Sequence, residues 1–151
     1  MLSFEHFKYT VLGFAGIVIV GGLYAVRRSE RARILKRVGD RDATSDVEFS
    51  AFFSSAAESE IAIDVRNQLK KYLSIPINLV QPDDKLCADL GLDSWDGLDS
   101  NSFVMDVEET TGIKIPDADA AQMLTLRDIV SYIHAARAAQ SKSEVLSSGR
   151  S

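Results

Sequence analysis

The chain has 151 residues, of which 46% are hydrophobic and 26% are charged, and a formal net charge of −5 at pH 7. This composition excludes wholesale disorder and collagen-like repeats. The single cysteine, Cys87, excludes an intramolecular disulfide and a Cys-based zinc site, and two histidines are too few for a His-rich metal centre. We therefore expect one domain of ordinary size with appendages, and no metal site.

The charge is distributed unevenly along the chain. Residues 1–37 carry seven Lys/Arg and two Asp/Glu, whereas residues 58–137 carry fifteen Asp/Glu and seven Lys/Arg. This asymmetry indicates that a basic N-terminal part is joined to a physically different, acidic part. Because nucleic acid is recognised by basic faces, we expect no nucleic-acid partner for the acidic part.

An apolar run lies near the N-terminus. Residues 9–26 are 18 residues without a charge, and six cations follow within the next 11 residues. A run of this length can cross a bilayer as a helix, and the positive-inside rule leaves the basic cluster in the cytoplasm. A cleaved signal peptide is the less favoured alternative, because the residues before the run carry only one cation, Lys8, and no small-x-small cleavage site precedes the arginines that follow the run. We therefore expect a short segment 1–8, a transmembrane helix at 9–26, and a single-pass membrane protein with its C-terminal domain on the cytoplasmic side.

Two further segments offer little for a core to bury. Residues 27–57 begin with the basic cluster and continue as small, mixed and polar sequence, so we expect a basic juxtamembrane stretch and a linker. Residues 138–151 are mostly small and polar, so we expect a disordered tail. Residues 58–137 would then form the folded domain.

The apolar spacing in this domain predicts helices. From residue 61 to residue 73, apolar residues recur at the i, i+4 spacing of an amphipathic helix, which Pro76 ends. A long loop follows, and a second helix is expected over roughly residues 98–111, with its acidic side chains exposed.

The C-terminal part of the domain continues the helical pattern. A short helical turn is expected through residues 118–123, and Thr125 with Asp128 resembles a capping box that opens a last helix. The apolar residues that we expect this helix to bury are Leu126, Ile129, Val130 and Ile133. Nothing alternates over the length of a strand except residues 113–115, so the fold class is all-α, a small four-helix bundle.

Three runs of residues carry a resemblance to a known family: DKLCADLGLDSW, VMDVEETTGIKIPDADA and LTLRDIVSYI. In order and spacing they resemble acyl carrier protein and its peptidyl-carrier relatives. The resemblance covers about residues 58–136 and includes the long first loop, the DLGxDS signature and the acidic second helix. It implies an acyl-carrier-like four-helix bundle, here preceded by the single transmembrane helix.

The family's cofactor follows from the resemblance. In that family a serine in the DS motif accepts 4′-phosphopantetheine from coenzyme A, and the thiol of this arm carries acyl groups as thioesters between enzymes. The resemblance therefore implies a covalent arm on Ser94, with Asp93 beside it. It implies a membrane-anchored carrier for lipid, polyketide or peptide assembly, and not an enzyme, since no catalytic base is needed beside the serine.

Two registers compete for the attachment position. The local motif DLGLDSW places it at Ser94, whereas counting back without gaps from Ile115 places Gly97 there, which has no hydroxyl. The two registers differ by three residues, as if these had been inserted. Ser100 is a weaker candidate, because the second GLDS lacks the upstream DLG. A helix that starts at Ser94 would have a poorly unified apolar face, whereas a start near Asp96 gives a better one.

The acidic residues around the second helix are candidates for protein docking. By the resemblance, Asp96, Asp106, Glu108 and Glu109 would attract basic patches on a phosphopantetheinyl transferase and on acyl-transferring or synthase enzymes. The alternative is a carrier-like membrane adaptor that is not pantetheinylated and docks a basic protein through this acidic helix. Exposure of Ser94 at the start of the second helix would favour the carrier, and burial would favour the adaptor.

Overall fold

The computed structural model describes residues 28–29, 31–92 and 97–148. Within these ranges no strand forms, and the one β-type pairing is an isolated antiparallel bridge between Lys85 and Thr125. The all-α class is confirmed for this part of the chain. The helices are α1 (residues 31–38), α2 (Asp46–Ser50), α3 (Ala56–Leu69), α4 (Leu98–Thr111), α5 (Asp117–Ala120) and α6 (Leu126–Ser148), with a 3-10 turn at Ile77–Leu79.

Helix α3 is at the centre of the bundle and packs against α2, α4 and α6. Its buried apolar side chains recur at the predicted spacing, and α6 buries the four residues expected of it. Removing these side chains from water is the main stabilising contribution to the bundle. The buried apolar residues of the two helices are Ile61, Ala62, Val65, Leu69, Leu126, Ile129, Val130 and Ile133.

Helix α4 has the predicted limits. Gly97 is its N-cap, and Gly112 ends it in the left-handed conformation with φ +71°, which glycine adopts without strain. Its buried face consists of Ser100, Phe103, Val107 and Thr111. These four residues lie three or four positions apart, so they form one continuous face of the helix.

Helix α6 begins at the predicted capping box. The hydroxyl of Thr125 accepts from the N–H of Asp128 at 3.2 Å, and the Asp128 carboxylate accepts from the N–H of Thr125 at 2.9 Å. The carboxylate also accepts from the N–H of Leu124 at 3.0 Å. Three backbone N–H donors at the start of the helix thus find side-chain acceptors. At its other end, α6 continues to residue 148, through part of the segment expected to be a disordered tail.

The segment between the basic cluster and α3 is folded onto the bundle, which differs from the expected linker. Ile34 and Val38 of α1 and Phe49 of α2 are buried in the same apolar cluster as α3. Ser45 opens α2 through a capping box with Glu48. The three apolar side chains give this segment enough surface to bury, although the residues around them are small and polar.

The architecture gives no support to a membrane span. The predicted transmembrane helix at residues 9–26 lies outside the described residues. Among the helices that are described, none is long and apolar enough to cross a bilayer. The longest, α6, has 23 residues but carries Arg127, Asp128, Arg137 and Lys142 along its length, so it is amphipathic.

A buried arginine joins the N-terminal segment to the bundle. Arg66 of α3 is 1% exposed. Its guanidinium donates to the Asp46 carboxylate at 2.8 Å, to the Thr44 carbonyl at 2.9 Å and to the Ile77 carbonyl at 3.1 Å. The carbon of the guanidinium lies 4.2 Å from the ring centroid of Phe49. Burial lowers the pKa of Arg66, and the Asp46 carboxylate opposes this shift.

Replacing Arg66 should therefore destabilise the whole domain. We expect Arg66→Met to lower the free energy of unfolding by about 2–4 kcal/mol, because two carbonyl oxygens lose their charged donor and α2 loses its connection to α3. Urea unfolding of the full chain measures this loss. The matched control is Arg31→Met on the exposed side of α1, and an equal loss in both variants would contradict the role of Arg66.

Glu108 holds the segment after α4 against the helix. Its carboxylate accepts from Lys114 Nζ at 2.7 Å and from the N–H of Ile115 at 2.6 Å. Both donors favour the ionised form, Lys114 most, and lower the pKa of Glu108. The side chain of Lys114 is 88% exposed, so water and salt weaken its ion pair. The backbone hydrogen bond to Ile115 is less affected by solvent, since Glu108 is only 13% exposed.

This contact predicts a pH dependence of stability. Because the pKa of Glu108 is lowered on folding, its stabilisation is present above the unfolded value and is lost as pH falls through the folded value. We expect Glu108→Gln to lower the free energy of unfolding by about 1–2 kcal/mol near neutral pH, and this difference to shrink in acid.

Urea unfolding at a series of pH values tests the prediction. The control is Glu109→Gln, which makes the same change of charge on the exposed neighbouring residue. A difference between the native chain and Glu108→Gln that stays constant from neutral pH into acid would contradict the assignment.

Candidate functional site

The loop that leads to the candidate attachment site is held by backbone hydrogen bonds and by buried apolar side chains. We call residues 84–92 the motif loop. The N–H of Leu86 donates to the Leu124 carbonyl at 2.9 Å, and the N–H of Leu92 donates to the Leu86 carbonyl at 3.0 Å. Leu86, Leu90 and Leu92 are buried, and Gly91 has φ +76°, which favours glycine. The motif loop is thus fixed up to Leu92.

The predicted attachment residues follow directly. Asp93, Ser94 and Asp96 lie outside the described residues, so their placement stays a prediction. The structure does define both flanks: Leu92 is buried, and Gly97 is the N-cap of α4. In sequence, Ser94 comes three residues before this N-cap.

The start of α4 bears on the two competing registers. Gly97 occupies the helix start and has no hydroxyl to modify. It also has no side chain that could accept hydrogen bonds from the first N–H groups of the helix, which carry the positive end of the helix dipole. An anion attached nearby fits this helix end. Ser100, the weaker candidate, lies in the first turn of α4 and is 1% exposed, so a modifying enzyme could not reach its hydroxyl in this conformation.

The acidic residues of α4 differ in their exposure and in whether other groups of the chain donate hydrogen bonds to their carboxylates. The Asp106 carboxylate accepts from Lys71 Nζ at 2.9 Å and from the hydroxyl of Tyr72 at 2.8 Å, and these bonds lower the pKa of Asp106. Burial and then the bond to Asp106 raise the pKa of Tyr72 to about 12. Glu108 is held by the segment after α4, as described above. Of the three carboxylates on α4 that were predicted to dock a partner, Glu109 alone is exposed.

Two exposed apolar residues on α4 were missed by the sequence analysis. Leu98 is 79% exposed and Met105 is 66% exposed. They lie seven residues apart on the helix, away from its buried face, and Asn101 and Glu109 are exposed on the same side. The sequence does contain a signal for them, because positions 98 and 105 are apolar but do not share the helical spacing of the buried residues. An exposed face that combines apolar and acidic side chains can contact another protein.

A groove of about 700 Å³ borders this face between α4 and α5. Its volume is in the range of small-molecule sites. Both apolar and polar side chains line it: Asn101, Val104, Met105, Glu108, Ile115, Asp117, Ala120 and Ala121. Within residues 28–29, 31–92 and 97–148, no group of three or more His, Cys, Asp or Glu side chains is placed to hold a metal ion.

Comparison with known proteins identifies the family. Residues 63–133 match the family described as "Phosphopantetheine attachment site". The chain is 39% identical over 74 residues to an acyl carrier protein of Campylobacter hominis, which covers 49% of this chain and 90% of the relative. It is 40% identical over 78 residues to an acyl carrier protein of Thermotoga maritima, which covers 52% of this chain and 93% of the relative. No solved structure matches significantly.

These comparisons also correct the predicted localisation. About nine tenths of each relative aligns with only half of this chain, and the relatives are acyl carrier proteins. Among the helices that the structure describes, none could span a membrane. The prediction of a single-pass membrane protein with its C-terminal domain on the cytoplasmic side is therefore wrong.

Other predictions agree with the comparisons. The family has covalently attached 4′-phosphopantetheine as its cofactor, which confirms the predicted cofactor. Its members are carriers and not enzymes themselves, and they interact with synthase and transferase enzymes. Since this chain covers most of its acyl carrier relatives at 39–40% identity, it belongs to the acyl carrier protein family.

Proposed function

We propose that this chain carries acyl groups as thioesters on a 4′-phosphopantetheine arm attached to Ser94, for the assembly of fatty acids, polyketides or peptides. Asp93 would lie beside the attachment point. The observation that supports this assignment is the position of the last two residues of the DLGLDS motif, Asp93 and Ser94, which follow the buried Leu92 in sequence and precede the N-cap Gly97 of α4. The motif serine is therefore close in sequence to a helix end that suits a phosphodiester.

The residues near Ser94 are less suitable attachment points than Ser94 itself. Gly97 lacks a hydroxyl, and Ser100 is buried in the first turn of α4. Ser102 is half-buried on the same helix. Among the serines near the start of α4, Ser94 alone has the upstream DLG of the family motif.

The groove between α4 and α5 supports an acyl cargo. Val104, Met105, Ile115 and Ala120 give it apolar lining, and its volume of about 700 Å³ suits a short acyl chain. It opens beside the helix whose N-terminus follows Ser94. An arm attached there would have an apolar surface available for its cargo.

Docking of the loading and acyl-transferring enzymes is proposed for α4 and the residues before it. Asp96, Asp106, Glu108 and Glu109 would supply the negative potential that attracts a basic patch. Asp106 and Glu108 contribute their charge while they are held by partners within the chain, whereas Glu109 is free to make direct contact. The exposed Leu98 and Met105 would add the apolar contacts of such an interface.

The alternative function is a carrier-like adaptor without the arm, docked to a basic partner through α4. Gly97 at the helix start favours this alternative, since it removes the hydroxyl from that position. The matched family favours the carrier.

Intact-protein mass spectrometry separates the two functions. After incubation with coenzyme A and a broad-specificity phosphopantetheinyl transferase, we expect the full chain to gain the mass of one phosphopantetheine arm. Ser94→Ala should abolish the gain, because it removes the acceptor hydroxyl.

Ser100→Ala is the matched control, since it removes a hydroxyl six residues further on and should still accept the arm. A gain that persists in Ser94→Ala would refute the assigned serine. No gain in a folded native chain would favour the adaptor.

A further inference from the structure

The segment that follows the start of α1 lies along the motif loop. We call residues 34–41 the strap. It contacts the motif loop at three points, and the residue numbers rise along the strap while they fall along the loop. The contacting pairs are Ile34 with Gly91, Arg37 with Ala88, and Arg41 with Asp84. The two segments therefore run antiparallel, in register.

Two of these contacts lie at the end of the loop that leads to Ser94. A Cβ atom on Gly91 would lie 2.5 Å from Cδ1 of Ile34, so the buried Ile34 fills the space that a side chain at position 91 would need. Arg37 donates from Nη1 to the carbonyl of Ala88. The strap thus touches the backbone of the loop three and six residues before Ser94.

The third contact fixes the other end of the loop. Arg41 Nη1 lies 2.7 Å from both carboxylate oxygens of Asp84, which is 5% exposed. One of these oxygens also accepts from the N–H of Gln81 at 2.8 Å. The loop is also bonded to the α5–α6 connection, since the N–H of Leu86 donates to the Leu124 carbonyl. The motif loop is therefore held between the strap and the bundle.

The strap is an addition to the matched carrier domain. The family match covers residues 63–133, and the strap lies outside it. The contacts with the motif loop are thus made by residues that the match does not include. A loop that is ordered in advance presents its modification site without a further loss of conformational freedom when an enzyme binds.

We propose that the strap positions the motif loop for pantetheinylation, with Arg37 as a positioning residue that acts through the carbonyl of Ala88. The inference rests on the proposed function, the attachment of the arm at Ser94. Arg37 does not take part in the transfer itself, in which the Ser94 oxygen bonds to the phosphorus of the phosphopantetheinyl group, the pyrophosphate bond of coenzyme A breaks, and 3′,5′-ADP and the hydroxyl proton leave. Its effect is to keep the motif loop in the conformation that the transferase binds.

The test compares Arg37→Ala with Arg33→Ala in the full chain. Both residues are exposed on α1 and both variants lose one positive charge, so they differ in the contact with Ala88. Arg37→Lys should retain the native rate of arm transfer, because lysine keeps a charged donor for the Ala88 carbonyl. Two quantities are measured: kcat/KM of a broad-specificity phosphopantetheinyl transferase with coenzyme A, and amide exchange at Gly91, whose N–H donates to the Cys87 carbonyl at 3.2 Å. The amide of Val107 in α4 is the internal reference.

We expect Arg37→Ala to lower kcat/KM about three- to tenfold and to speed exchange at Gly91 by a similar factor, the effect of one lost hydrogen bond. Exchange at Val107 should not change, and Arg33→Ala and Arg37→Lys should stay within about twofold of the native chain. Equal effects of Arg33→Ala and Arg37→Ala would overturn the proposal. Faster exchange without slower transfer would also overturn it.

The exchange measurement separates this inference from the proposed function. If the native chain gains no arm, the attachment at Ser94 fails. The role of the strap in pantetheinylation then fails with it. In a native chain that does gain the arm, unchanged exchange at Gly91 in Arg37→Ala would overturn the inference alone and leave the proposed function standing.

Discussion

The arrangement of the domain depends on the buried guanidinium of Arg66. A charged group without access to water is tolerated where hydrogen-bond partners surround it, and Arg66 has an exposed carboxylate, two backbone carbonyls and an aromatic ring around it. The planar fork of arginine reaches these partners at once, which the single ammonium of lysine could not do. Since the partners come from residues 44–49 and from Ile77, one side chain connects α2, α3 and the loop after α3. The folded unit is therefore longer than the family match.

The position of the strap follows from this connection. With residues 44–49 fixed on α3, the preceding residues pass close to the motif loop, where Arg41 meets Asp84 and Arg37 meets Ala88. The motif loop ends at Leu92, and α4 begins after its N-cap, Gly97. The contacts of Arg66 thus bear, through the strap, on the motif loop that precedes the proposed attachment serine.

The elements predicted from sequence are those whose signals are local. The limits of α4 follow from its apolar period and from the break at residues 113–116, and the start of α6 follows from Thr125 and Asp128, three residues apart. The folding of the segment before α3 depends instead on Arg66, which is 20 residues from Asp46, so a linker was predicted there. Charge counts likewise could not show that Asp106 is held by Tyr72, 34 residues away, because only the tertiary structure brings the two together.

Residues 44–50 are an integral part of the folded domain, and native-state hydrogen exchange can show whether they unfold together with it. The N–H of Phe49 donates to the Ser45 carbonyl at 2.9 Å in α2, and the amide of Val107 lies in the core helix α4. If the two helices unfold together, both amides exchange with the same free energy of opening, and added urea lowers both equally. Exchange of the Phe49 amide at the rate of an unfolded peptide, with Val107 still protected, would contradict the account.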